Sequence, residues 1–118
     1  MKIRTWILVV PLMAALTVPV FADRRSDAKD HVSFGISLAK NNLWREATTH
    51  WEKAVKIDPS YAAAWNNLAI GLEQLGKFDE AREAYEKALK LDPRNTFMLN
   101  NYDQFREIYD RQGRRRAR

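Results

Sequence analysis

The chain repeats itself. Shifting the 118-residue sequence by 34 residues aligns Ala28–Tyr61 with Ala62–Asn95 without a gap. Eleven pairs are then identical: Ala28/Ala62, Ile36/Ile70, Leu38/Leu72, Glu46/Glu80, Ala47/Ala81, Glu52/Glu86, Lys53/Lys87, Ala54/Ala88, Lys56/Lys90, Asp58/Asp92 and Pro59/Pro93. Trp44/Phe78, Trp51/Tyr85, Val55/Leu89 and Ile57/Leu91 are conservative pairs. A fixed period of this length implies stacked supersecondary units, each burying its apolar face only against its neighbours.

Each unit reads as two helices. Trp65, Leu68, Leu72 and Leu75 recur at helical spacing and form one apolar stripe. Gly76 then ends the first helix, because it tolerates the left-handed backbone found there. Asp79 and Glu80 open the next helix at the positive end of its dipole. That helix continues with Ala81, Tyr85, Ala88 and Leu89 on one face and Glu83/Lys87 and Glu86/Lys90 pairs on the other. Asp92-Pro93 stops it, since the residue before proline is pushed out of the helical region. The first unit follows the same plan with Asn42 in the glycine's place. Met98, Tyr102, Phe105 and Tyr109 continue the pattern as one more helix over 96–111.

This 34-residue helix–turn–helix unit resembles the tetratricopeptide repeat. Trp65, Leu68, Ala69, Leu72, Ala81, Tyr85, Ala88 and Pro93 supply that family's full motif. The first unit supplies Phe34, Gly35, Leu38, Ala47, Trp51, Ala54 and Pro59, but carries His31 where the family has Trp. The resemblance implies an all-α fold, a short α-solenoid with repeats at 28–61 and 62–95 and a capping helix at 96–111. It also implies a concave groove lined by first helices. Carried over position by position, that groove holds Val32 and Ile36, then Asn66, Asn67, Ile70 and Gln74. The last helix adds Phe97, Asn100, Asn101, Gln104 and Ile108. Val32 and Phe97 occupy two positions where some members carry basic residues that clamp a C-terminal carboxylate, so that clamp is not expected. The amide steps Asn66-Asn67 and Asn100-Asn101 leave two readings open: they hold a peptide backbone, or they pack helices.

The ends differ from the repeats. Lys2 and Arg4, an apolar run from Trp6 to Leu16, and Val20-Phe21-Ala22 have the layout of a secretory signal peptide over 1–22, cleaved before Asp23. The competing reading is a retained membrane anchor, interrupted by Pro11 and Pro19. Residues 23–27 are expected to be a short linker. The signal implies export, with the bacterial periplasm as the address, or an inner-membrane anchor facing it. The sequence contains no cysteine, so it has no disulfide, thiolate metal site or lipid-modified cysteine. The pI near 9.7 owes much to Arg111, Arg114, Arg115, Arg116 and Arg118. Between Asp23 and Asp110, 13 Lys/Arg face 15 Asp/Glu. Residues 112–118 are expected to be a disordered basic tail.

No catalytic constellation is visible, so an enzyme is not expected. His31 and His50 fall on different helices and lack metal-ligand spacing, and His50 is expected on the outer face. There is no phosphate loop and no nucleophile elbow; cofactors, metals and nucleic acid are not expected. The expected activity is that of an adaptor or scaffold gripping another protein or a peptide segment. Self-assembly into a structural unit is the alternative, as is contact of the arginine tail with an acidic partner or anionic lipid.

Overall fold

The computed structural model describes residues 2–3 and 18–118. Five helices and no strand occur among the described residues: α1 (Val18–Lys40), α2 (Trp44–Ile57), α3 (Ala62–Gln74), α4 (Phe78–Leu91) and α5 (Thr96–Arg116). The fold is the all-α solenoid that the period demands, with α1–α2 and α3–α4 as hairpins and α5 closing the stack against α4.

The two hairpin turns are built alike. Asn42 and Gly76 take positive φ of 60° and 74°. This lets Leu43 N donate to Leu38 O at 3.1 Å and Lys77 N to Leu72 O at 2.9 Å, satisfying carbonyls at each helix end. Asn95 caps α5, its side chain accepting from Met98 N at 3.1 Å.

Both ends depart from expectation. Residues 23–27 are not a linker but part of α1. No glycine or proline follows Pro19 in that stretch, and Pro19 sits in the first turn, where its missing N–H costs little. Arg25 anchors this part of α1 by pairing with Asp58 and lying 4.7 Å over the Tyr61 ring. The bulk of the expected signal segment, residues 4–17, lies outside the described residues. At the other end, Gly113 does not stop α5, which continues to Arg116 instead of yielding to a disordered tail. Arginines in a last helical turn interact favourably with the negative end of the dipole, and Tyr109 ties the helix to Asp79 with a 2.7 Å hydrogen bond.

The core runs along the repeat seams. Trp51 is 2% exposed, and its Nε1 donates to Val32 O at 3.2 Å. It is wedged between glycines: a methyl at Gly35 would lie 2.5 Å from Trp51 Nε1, and one at Gly71 would lie 2.9 Å from Cζ3. One repeat on, buried Tyr85 meets Phe105 of α5 with ring centroids 5.1 Å apart. Ser37, Gly71 and Phe105 share one repeat position, so the smallest of the three faces Trp51 and the largest faces Tyr85. Phe78, Tyr102 and Tyr109 surround Phe105 at 5.6–6.4 Å and complete the cap.

The expected Glu83/Lys87 and Glu86/Lys90 ion pairs do not form among the described residues. Lys87 lies 4.3 Å over the Trp65 ring, and Glu86 accepts from Tyr102 at 3.1 Å and approaches Arg82 at 4.0 Å. Cross-helix aromatic partners and Arg82 take the place of the expected lysine pairs.

Candidate functional site

An open depression of about 310 Å³ lies between α1, α2 and α3. Ile36, Ala39 and Lys40 come from α1, Trp44 and Trp51 from α2, and Asn67 and Ile70 from α3. Ile36 and Ile70 are the same repeat position on neighbouring first helices, which the 34-residue period aligns. Trp51 is the floor, held in place by the two glycines and by its bond to Val32. Asn67 is half-buried and lines the depression, and its Nδ2 donates to Ala63 O at 2.8 Å. The wall is apolar and Lys40 is the charged group on its rim.

The structure brings together three of the expected groove residues: Ile36, Asn67 and Ile70. It separates the others. Val32 and Asn66 are buried and present no groove surface. Asn66 instead accepts from Asn101 Nδ2 at 3.3 Å across α3 and α5, so this amide pair joins helices. Position five of a first helix points at the adjacent first helix, which covers it. Gln74, Phe97, Asn100 and Gln104 are exposed, Phe97 at 64%. Ile108 sits with Arg111, Gln112 and Arg115 in a separate, smaller depression. Trp44 and Trp51 were missing from the expected set because they belong to a second helix. Their seven-residue spacing, which sets both on one face of α2, was the available signal.

A second cleft, of about 350 Å³, opens at the other face of the α1–α2 hairpin and is lined by Asp27, Asp30, His31, Phe34, His50 and Ile57. His50 does not face outward as expected. Its Nδ1 lies 3.0 Å from Nδ1 of His31, so one ring donates and the other accepts. The Phe34 ring meets His50 edge-on at 4.6 Å. Burial, then His31 and Lys53, push the His50 pKa below its ordinary value. No group of three or more His, Cys, Asp or Glu arranged for a metal occurs among the described residues.

At the repeat junction, burial raises the Asp58 carboxyl. Hydrogen bonds from Arg25 and Ser60 outweigh this and hold it below the usual range. Burial followed by the Glu73 carboxylate, 2.9 Å from its hydroxyl, pushes Tyr85 up, so it stays a neutral donor.

Residues 62–95 match the family model of the tetratricopeptide repeat. No curated protein matches the chain by sequence. Among solved structures, the chain resembles the Sgt2 TPR domain of Aspergillus fumigatus, at 19% identity and a TM-score of 0.71. That match covers 75% of this chain and 60% of the Sgt2 domain, so the chain spans less than two thirds of that relative. The C-terminal TPR-containing domain of a Plasmodium falciparum FK506-binding protein is 20% identical, with a TM-score of 0.72 over 90% of this chain and 70% of that one. The second TPR of Spaghetti (RPAP3), solved with an HSP90 peptide, is 17% identical, with a TM-score of 0.69 over 75% of this chain and 82% of that one. At such identities the likeness is one of fold. Residues 62–95 are thus a matched tetratricopeptide repeat, set within a fold that the chain shares with TPR domains.

Among the described residues no helix is long and apolar enough to cross a membrane.

Proposed function

We propose that the protein is a non-enzymatic adaptor that grips an extended segment of another protein in the Ile36–Trp44–Ile70 depression. The observation that carries this reading is the depression itself: apolar side chains from three helices left open to solvent beside the Asn67 amide. An apolar side chain of the partner fills the space over Trp51, while Asn67 meets its backbone and Lys40 favours an acidic neighbour. The RPAP3 relative, seen with an HSP90 peptide, supports a peptide as the kind of ligand. The layout of residues 1–22 adds export to the reading, with the cell envelope as the place where the partner is met.

The test is site-specific photocrosslinking in native envelope preparations, with the probe at Ala39 on the depression or at Glu83 on α4. A partner crosslinked from Ala39, absent from Glu83 and lost in Ile36→Glu/Ile70→Glu with helix content intact, is the expected result. Equal yields from both probes, or yields indifferent to the double substitution, sink the groove. Export is tested separately by fractionation and N-terminal sequencing; a chain that stays inside with Met1 intact sinks that part alone.

A further inference from the structure

Among the described residues, the N-terminal cleft is a stacking face that no repeat covers. One period on, the equivalents of Asp30, Phe34 and His50 are Ala64, Leu68 and Ala84, all buried inside the stack. In the first repeat the same positions are open: Phe34 is 53% exposed and Asp30 stands at the rim. The floor is apolar, from Phe34 and Ile57, and Asp27 and Asp30 add acidity one helical turn apart.

The complementary surface lies at the opposite end of the same molecule. In the repeat register Ile108 corresponds to Gln74, the last residue of α3, so α5 runs on beyond the length of a first helix. This extension docks by Tyr109 on Asp79, while Ile108, Arg111 and Arg115 form a stripe on another face. That stripe offers one apolar side chain and two guanidinium groups a turn apart, against an apolar floor with two carboxylates a turn apart. The folded remainder of the chain is slightly acidic, so the arginine-dense end of α5 is its clearest match in charge. We propose that the cleft receives the C-terminal half of α5 from a second copy of the chain. Cleft and arm sit on the first and last layers of the stack, so the contact is head-to-tail. Each copy then keeps one free cleft and one free arm, and the assembly grows as a ring or an open chain.

This inference does not rest on the peptide groove. The experiment is analytical ultracentrifugation of the full chain over a concentration series, with circular dichroism confirming helix content for every variant. The wild type is expected to associate reversibly, more weakly at high salt. Asp27→Arg/Asp30→Arg and Arg111→Glu/Arg115→Glu are each expected to weaken association tenfold or more. An equimolar mixture of the two variants pairs reversed clefts with reversed arms and is expected to restore it. Ile70→Glu, on the groove, leaves association unchanged, so loss of the groove reading and loss of this one are separable. A wild type that stays monomeric overturns the proposal. So does association that ignores both charge reversals, as clustering through the apolar residues 6–16 would, or a mixture that fails to recover it.

Discussion

Replacing glycine by alanine within a helix ordinarily stabilises it by about 0.8–1 kcal/mol, because alanine restricts the unfolded chain and favours the helix. At Gly35 and Gly71 the sign is expected to reverse. The added methyl at Gly35 meets three atoms of the Trp51 ring within 2.5–2.9 Å, and that at Gly71 meets Trp51 and, closer still, the Thr48 hydroxyl. Trp51 has no free direction, since retreating from one glycine drives it toward the other. Overpacking of this kind costs about 1–3 kcal/mol, so after the propensity gain each variant should lose up to about 2 kcal/mol. For a domain of this size that lowers Tm by up to about 15 °C. Gly113 is the internal control: it is also helical, but nothing lies within 4 Å of its missing Cβ. Gly113→Ala should therefore raise stability, by up to about 1 kcal/mol. Urea unfolding followed by circular dichroism reads all three variants, with m compared to confirm that the unfolding transition is unchanged. If Gly35→Ala or Gly71→Ala equals or exceeds the wild type, the Trp51 wedge is wrong. If Gly113→Ala falls with them, the contrast has another cause.

Asn66→Ala leaves Asn101 without its partner and should cost about 1–3 kcal/mol; a double-mutant cycle with Asn101→Ala should show coupling, and simple additivity would remove the bridge between α3 and α5. The His50 pKa is depressed in the folded protein, so below its ordinary value of 6.5 the unfolded chain binds a proton that the folded His50 resists. Stability is thus full above about pH 6.5 and falls as pH drops through that value toward the lower folded pKa. In His50→Asn this part of the slope should vanish in urea titrations between pH 7.5 and 5; an unchanged slope assigns it elsewhere. Asp58, held low by Arg25 and Ser60, acts in a separate window: its contribution is present above the ordinary carboxylate range and lost only as pH falls below about 4.

The repeat arithmetic was enough to place α2, α3 and α4 and the two left-handed turns at Asn42 and Gly76, because period, stripe and turn chemistry agree there. It was weaker wherever a residue's role depends on what lies across a seam. Val32 and Asn66 look like groove residues by position, yet adjacent first helices cover them. Trp44 and Trp51 look like core, and the first is also a groove wall. His31 and His50 are 19 residues apart on antiparallel helices, so their meeting follows from hairpin register and not from linear spacing. The arginine run reads as a solvated tail on composition, but a helix already anchored at Tyr109 gains from positive charge at its end. The groove trio Ile36, Asn67 and Ile70 was legible because all three lie on first helices at positions the period repeats.

The three residues Ser37, Gly71 and Phe105 make this array directional in a way its shared period conceals. Duplicating residues 62–95 in tandem would preserve the period, the helices and the turns. Yet the inserted copy would set a glycine against Tyr85, where a phenylalanine now fills the space. The reciprocal exchange, joining the first repeat straight to α5, would force that phenylalanine onto Trp51. The units are similar enough to stack but keyed to their neighbours, so the length of the array is written into its seams, and lengthening it would require matched changes on both sides of each new junction.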